Sequence, residues 1–343
     1  MKRFLLLILS ALLLTSCNLP ALAPTEISAI TETPTATAAP PPTVTPTLEP
    51  TISPTPDPYY PWSNEYLRSR TYGGGQIEFV EVLDQNLYYT RYLFRYPSDG
   101  LTIYGFANIP NDEEIHPVII ALHGYIDPAV YNTLDYTTRY ADALATAGYI
   151  VLHPNLRGYR PSEDGENLFR VGMAIDVLNL IALVQTQSGG TDPLSNADAA
   201  SIGLWGHSMG GGISTRVLTV SDDVRAAVLY AAMSGDEERN YAAIREWSGQ
   251  TRGIAELDVP VEALSRISSM YFFENIRAAV SIHHGTADAL VPMSWSVTTC
   301  ERLTLLGKNV ECIYYEQMPH TFYGQGEEQF IQNTLQFFSQ HLK

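Results

Sequence analysis

Basic residues are scarce in this chain: 20 Lys and Arg stand against 37 Asp and Glu, a formal net charge of −17. An exterior this acidic repels nucleic-acid phosphates and anionic lipid headgroups, so neither is expected as a partner. The charge says little about a neutral substrate. Cysteine is scarcer still, with Cys17, Cys300 and Cys312 the full complement of 343 residues. No Cys/His cluster has the spacing of a metal site, and no glycine loop is built to cradle phosphates. Internal repeats are missing, and no run beyond the amino terminus reads as a second membrane span.

What is present begins with an address. Met1-Lys2-Arg3 is a short positive start, and residues 4–14 are almost wholly apolar. That run is too short for a permanent span and suits a signal sequence. Leu14-Thr15-Ser16-Cys17 resembles a bacterial lipoprotein box. The resemblance implies cleavage before Cys17, lipidation of its thiol and anchoring at the outer face of a bacterial membrane. The other reading is an ordinary secretory signal with an incidental cysteine; both export the protein. The membrane is then met only through the lipid anchor. Residues 18–58 are dominated by Pro, Thr and Ala, with too little apolar bulk for a core and too many prolines for a helix. They read as a disordered linker whose roughly 40 residues, at about 3.1 Å each, reach on the order of 120 Å when extended. Residues 59–343 are long enough for one sizeable domain. Export places Cys300 and Cys312 where disulfides persist. They either form a bridge tying a helix to the following strand or remain two buried thiols.

Runs at 77–83, 87–96 and 101–109 alternate or run apolar and aromatic, separated by Asp84-Gln85-Asn86 and Pro97-Ser98-Asp99-Gly100. They predict antiparallel strands opening the domain. Strands and helices then take turns. Buried strands are expected over 117–122 and 149–152, with a helix over 134–147 and a strongly amphipathic one over 168–185. Further strands over 225–231, 278–283 and 310–315 are interleaved with helices over 294–306 and 327–341. Such alternation predicts an α/β fold with a mainly parallel central sheet covered by helices on both faces. Residues 234–275 break the rhythm with Glu237, Tyr241, Trp247, Tyr271 and Phe272 between two sheet strands. They are expected to form a small helical cap over the carboxyl edge of the sheet; an elaborated surface crossover is the alternative.

The chain is organised around residues 201–212, where an apolar run leads into Gly206-His207-Ser208-Met209-Gly210 and then into a helical pattern. This is G-x-S-x-G between strand and helix, a sharp turn that thrusts a serine hydroxyl outward and leaves no room for bulk at the flanking glycines. A serine nucleophile needs a base, and the base needs an acid to fix its tautomer. On this fold both follow the serine in sequence, acid first. Asp288 stands in a loop after the 278–283 strand, and His320 in a loop after the last strand. They read as orienting acid and general base. A helix N-cap or loop-folding Asx turn is the competing reading of Asp288, and Asp258 is a weaker rival. His283 and His284 come too early in their loop and His341 lies near a helix end, so all three read as structural. His207 is expected to pack away from the base. Oxyanion donors are assigned to the backbone N–H groups of Met209 and Tyr125, although Tyr125 also suits a pocket wall.

Leu122-His123-Gly124-Tyr125, Asn155-Leu156-Arg157-Gly158-Tyr159, Gly206-His207-Ser208-Met209-Gly210, Gly285-Thr286-Ala287-Asp288 and Pro319-His320 together resemble α/β-hydrolases. The likeness is greatest to the catalytic domain of the prolyl oligopeptidase family and to dienelactone-hydrolase-like and acetyl-esterase-like relatives. It covers about residues 99–343. It implies the triad Ser208, Asp288 and His320, no metal or organic cofactor, and a structural Arg157 that ties down its loop. No propeller repeats precede the domain, and no acidic pair to grip a peptide amino terminus stands in such a module. The resemblance alone therefore does not decide for peptidase activity, and a small exposed pocket beneath a short cap suits esters at least as well. The expected substrates are small esters or short peptide-like amides. A thioester or lactone hydrolase, and a catalytically inactive exported binding module on the same scaffold, are the alternatives.

Overall fold

The computed structural model describes residues 57–191 and 193–343. The expected signal, Cys17 and the linker up to position 56 lie outside them. Three antiparallel strands, β1 (Glu78–Gln85), β2 (Tyr89–Ser98) and β3 (Leu101–Pro110), open the domain. β4 (His116–Leu122), β5 (Ile150–Pro154), β6 (Ala197–His207), β7 (Val224–Tyr230), β8 (Ala279–Gly285) and β9 (Val310–Tyr315) complete a sheet of order β1-β2-β3-β5-β4-β6-β7-β8-β9. β5 pairs antiparallel with β3, and every pair from β5–β4 to β8–β9 is parallel.

Period-two alternation decides which layer each strand residue joins. Val118, Ile120 and Leu122 of β4 face one side of the sheet, and Ile119 and Ala121 the other. The first side is covered by α1 (Asn64–Ser69), α3 (Val171–Gln187), α4 (Met209–Val220) and α7 (Met293–Leu305); the second by α2 (Thr138–Thr146) and α8 (Gly324–Leu342). Each fully buried Val, Ile or Leu contributes about 1.5–3 kcal/mol, so a one-residue slip in register would be costly. The crossover through α2 leads from β4 to β5, and that through α3 returns to β6 on the other flank of β4. Chain paths that diverge in this way open a crevice at the carboxyl ends of the strands.

Two expectations need correction. α2 starts at Thr138, not 134, because residues 132–135 close a turn in which Asn132 N–H donates to Asp135 Oδ2 at 2.8 Å. α3 is not amphipathic: residues 171–181 are all buried. Its outer face is covered by β2 and the segment before β1, and its polar groups are taken up there. Ser98 Oγ donates to Asp176 Oδ1 at 2.6 Å, and Gly73 N–H to Asn179 Oδ1 at 2.8 Å. By length and composition the twenty residues Leu168–Gln187 could cross a membrane, yet most are buried inside the domain.

Residues 234–275 are helical, with α5 (Glu237–Trp247), α6 (Val261–Ile267) and two 3₁₀ turns. The carboxylate of Glu237 takes the half-buried Arg170 and the buried Arg216 together, and so fixes the start of the insertion to α4 and to the entry of α3. Farther along, Arg252 lies 3.8 Å from Asp127 and 5.0 Å above the Tyr125 ring. Trp247 meets Trp295 at 6.3 Å between ring centroids. The insertion thus touches the loop that follows β4 and the first turn of α7, at the carboxyl edge. On the flank, a disulfide joins Cys300 of α7 to Cys312 of β9. It links the segment that follows Asp288 to the strand that leads to His320.

Candidate active site

Ser208 is the single residue between β6 and α4. Its backbone stands at φ 55° and ψ −113°, a region that non-glycine residues rarely adopt and that is held only when the surroundings over-determine it. They do so here. Ser208 N–H donates to Tyr230 O at 2.9 Å, and Ser208 O accepts from Gly212 at 3.2 Å and Met233 at 3.0 Å. A Cβ on Gly206 would lie 2.5 Å from Gly210 O, and one on Gly210 would lie 2.3 Å from Leu122 O. Neither flank has space for a side chain. The Ser208 hydroxyl itself has no hydrogen-bond partner among the described residues.

Asp288 and His320 meet where the loops after the neighbouring strands β8 and β9 adjoin. Asp288 Oδ2 accepts from His320 Nδ1 at 2.7 Å, while Oδ1 accepts the N–H groups of Leu290 at 2.8 Å and Val291 at 2.9 Å. The Asx turn and the contact with the imidazole are therefore not rivals: they use different oxygens of one carboxylate. Burial pushes this carboxyl up, but hydrogen bonds from His284 and His320 and the charge of His320 outweigh it and hold Asp288 well below the usual range. With Nδ1 committed to Asp288, His320 keeps Nε2 free of any partner among the described residues.

His284 was expected to be structural, and it is buried, but it touches the acid directly. Its Nε2 lies 3.1 Å from both Asp288 Oδ2 and Val291 O. Two acceptors at Nε2 place the proton there, so Ser296 donates to Nδ1 at 2.7 Å. His207 differs more from expectation. Its ring does not turn away from the base but packs on the His320 ring at 4.7 Å, and its Nε2–H donates to His320 O at 3.0 Å. Tyr136 O–H donates to the other nitrogen at 2.8 Å. Beneath both, Tyr230 stacks on His207 at 4.3 Å and its hydroxyl accepts Phe322 N–H, just beyond His320.

Met209 and Tyr125 are the two residues expected to offer backbone oxyanion donors. Met209 is the first residue of α4, whose opening N–H groups have no intrahelical acceptor. Gly124 N–H is taken by Tyr136 at 2.7 Å, whereas Tyr125 N–H makes no hydrogen bond among the described residues. The Tyr125 side chain is 51 % exposed beneath Arg252. Arg157 is bound through its Nε–Nη2 edge to Asp176, with Nη2–Oδ1 at 2.8 Å and its own backbone N–H on Oδ2 at 2.9 Å. Asp258 is exposed on the insertion, and His341 packs on Phe337 at 4.7 Å. Ser281 Oγ and His283 Nε2, 2.7 Å apart, form a second serine–histidine pair, but it is buried and saturated. Its hydroxyl donates to Glu311 at 2.6 Å, and Tyr315 O–H donates to His283 Nδ1 at 2.9 Å. Among the described residues no group of three or more His, Cys, Asp or Glu is arranged to hold a metal ion.

Three buried imidazoles near the site carry a pH signature. His153, His207 and His283 are each pushed down to about 3 by burial, aided at His153 by the charge of His123 and at His207 by that of His320. Folded they are neutral; unfolded they protonate below about pH 6.5, so the unfolded chain binds more protons and stability falls with pH down to about 3. Each should withdraw about 2 kcal/mol by about pH 5. Calorimetric melting at about pH 7.5 and about pH 5 checks this: a large drop in Tm is expected, and an unchanged Tm contradicts it.

Comparison with known proteins agrees with this architecture. Residues 187–343 match the prolyl oligopeptidase family, and residues 1–18 match a prokaryotic membrane lipoprotein lipid attachment site. The protein is an exported, membrane-anchored lipoprotein. An acylaminoacyl peptidase from Pyrococcus horikoshii superposes with a TM-score of 0.62 at 24% identity, over 75% of this chain and 42% of that one. Acetyl xylan esterase 1 from a Thermoanaerobacterium species gives 0.61 at 18% identity, over 81% and 92%. An esterase from Pyrococcus furiosus gives 0.56 at 18%, over 80% and 100%. The match therefore spans less than half of the peptidase's length but nearly all of each esterase's. The nine-stranded sheet has the α/β-hydrolase fold, and residues 187–343 carry the similarity to the prolyl oligopeptidase family.

Proposed function

We propose that the protein is a membrane-tethered serine hydrolase that cleaves small esters or short peptide-like amides through an acyl-enzyme. The observation that carries this reading is the hydrogen bond of 2.7 Å from His320 Nδ1 to Asp288, which leaves Nε2 as a lone-pair acceptor. Ser208 Oγ gives its proton to Nε2 as it attacks the acyl carbon. Asp288 stabilises the imidazolium without taking its proton. The N–H groups of Met209 and Tyr125 receive the negative charge of the tetrahedral intermediate, each worth roughly 2.7–4 kcal/mol of barrier. The imidazolium then protonates the leaving oxygen or nitrogen. Water repeats the sequence on the acyl-serine and restores the hydroxyl. Residues 59–343 are the hydrolase domain of this scheme, and residues 234–275 the part that selects substrate.

A fluorophosphonate probe tests the reading. It should label the full chain once, at Ser208, and leave Ser208→Ala unlabelled. Labelling of the alanine variant, or none of the wild type, would refute it. Rates on matched p-nitrophenyl acyl esters and aminoacyl anilides then divide esterase from peptidase.

A further inference from the structure

The proposed triad accounts for one side of His320. On its other side three hydrogen bonds form a continuous chain that the triad does not use. Gly124 N–H donates to Tyr136 Oη at 2.7 Å, Tyr136 O–H donates to His207 Nδ1 at 2.8 Å, and His207 Nε2–H donates to His320 O at 3.0 Å. The direction of every bond is fixed. A carbonyl can only accept, so the His207 proton sits on Nε2; Nδ1 must then accept, so the phenol donates; and the phenol oxygen is left to accept from Gly124. The chain starts in the loop that supplies Tyr125 N–H, crosses the elbow beside Ser208, and ends on the backbone of the base.

Steric detail supports a fitted arrangement. A Cβ at position 124 would fall 2.5 Å from Tyr136 Oη and 3.1 Å from Ser208 Cβ. Only glycine lets the phenol reach that N–H with the elbow so close. His207 is buried between the rings of Tyr230 at 4.3 Å and His320 at 4.7 Å. Its imidazole cannot swing without moving the base.

Resting on the serine hydrolase reading above, we propose that Tyr136 and His207 are positioning residues that fix the oxyanion loop and the base loop relative to Ser208. Neither touches the reacting atoms. They set the distance from nucleophile to base and from nucleophile to Tyr125 N–H, so their loss slows chemistry and leaves substrate binding alone. Misplacement by about 1 Å costs on the order of 100-fold in rate.

Steady-state hydrolysis of a short-chain p-nitrophenyl ester by the full-length protein in detergent tests the proposal. Tyr136→Phe should lower kcat by about 30- to 100-fold with KM within about twofold. Tyr131→Phe is the matched control, because it deletes a buried hydroxyl of the same loop region that bonds Asn155 at 3.1 Å, outside the chain. It should stay within about threefold of wild type. His207→Gln keeps an amide N–H for His320 O and should recover at least about tenfold of the activity lost in His207→Ala. This rescue decides the matter should Tyr136→Phe not fold. Equal losses in the two phenylalanine variants, a loss confined to KM, or no rescue by glutamine would overturn the proposal. Ser208→Ala run alongside separates the two levels. Activity surviving there overturns the nucleophile assignment, whereas an inactive Ser208→Ala beside a normal Tyr136→Phe overturns only this inference.

Discussion

Turnover of a p-nitrophenyl acyl ester should fall by about 10⁵- to 10⁶-fold in Ser208→Ala, with no accompanying loss of stability. Both halves of that expectation come from the elbow. The hydroxyl has no hydrogen-bond partner among the described residues, so removing it strands no buried donor or acceptor. Alanine keeps the Cβ, and the same backbone contacts hold position 208 at φ 55°. The change is therefore chemical and nothing else. Because nucleophile and base act as a unit, Ser208→Ala combined with His320→Ala should be no slower than either alone. Additive losses in the double variant would mean that the two side chains serve separate steps. Single-turnover kinetics with matched melting curves would show which holds.

Asp288→Asn should lower kcat by about 10⁴-fold, through a tautomer and not through a lost charge alone. The geometry leaves the amide no choice of orientation. Leu290 and Val291 both present N–H groups to the Oδ1 position, so the amide oxygen must stay there. The NH₂ then takes the Oδ2 position and points at His320 Nδ1, 2.7 Å away in the wild type. Nδ1 is forced to accept, its proton moves to Nε2, and the base is blocked on the face it needs. The His284 Nε2–H, 3.1 Å from the same oxygen, meets a second donor and adds to the mismatch. Measured kcat decides the point, with ¹⁵N chemical shifts of the two ring nitrogens reporting the tautomer. A loss smaller than about tenfold would show that Asp288 does not orient the base.

Much of this architecture could be read from the chain because local physics dictates it. The elbow is legible since three constraints coincide in a few residues: a buried strand, glycines that exclude side chains, and a helix start. Asp288 and His320 are legible because each stands in a loop after a sheet strand and lies after the serine. Tyr136 is not, for it lies 71 residues from His207 and looks like an ordinary helix-entry aromatic. Its role arises only when the loop after β4 folds against the elbow. His284 hides for a similar reason: strand alternation turns it inward, and only the loop geometry brings Asp288 back to it. Nothing in the sequence pairs Arg170, Arg216 and Glu237, though the insertion is anchored on their ion cluster. The amphipathic pattern expected over 168–185 fails because the polar positions Asp176 and Asn179 do not face solvent. Both are buried and fully engaged with Ser98, Gly73 and Arg157.

That same helix bears on how the protein leaves the cell interior. An exported chain passes through a translocation channel unfolded, and there Leu168–Gln187 is long and apolar enough to be released sideways into lipid and halt transit. Asp176 stands near its midpoint, where an aspartate opposes membrane insertion by roughly 2.5–3.5 kcal/mol. The residue that meets Arg157 in the folded domain would thus also oppose insertion of this segment. Replacing it with leucine would remove the brake on insertion before the helix had a core to join.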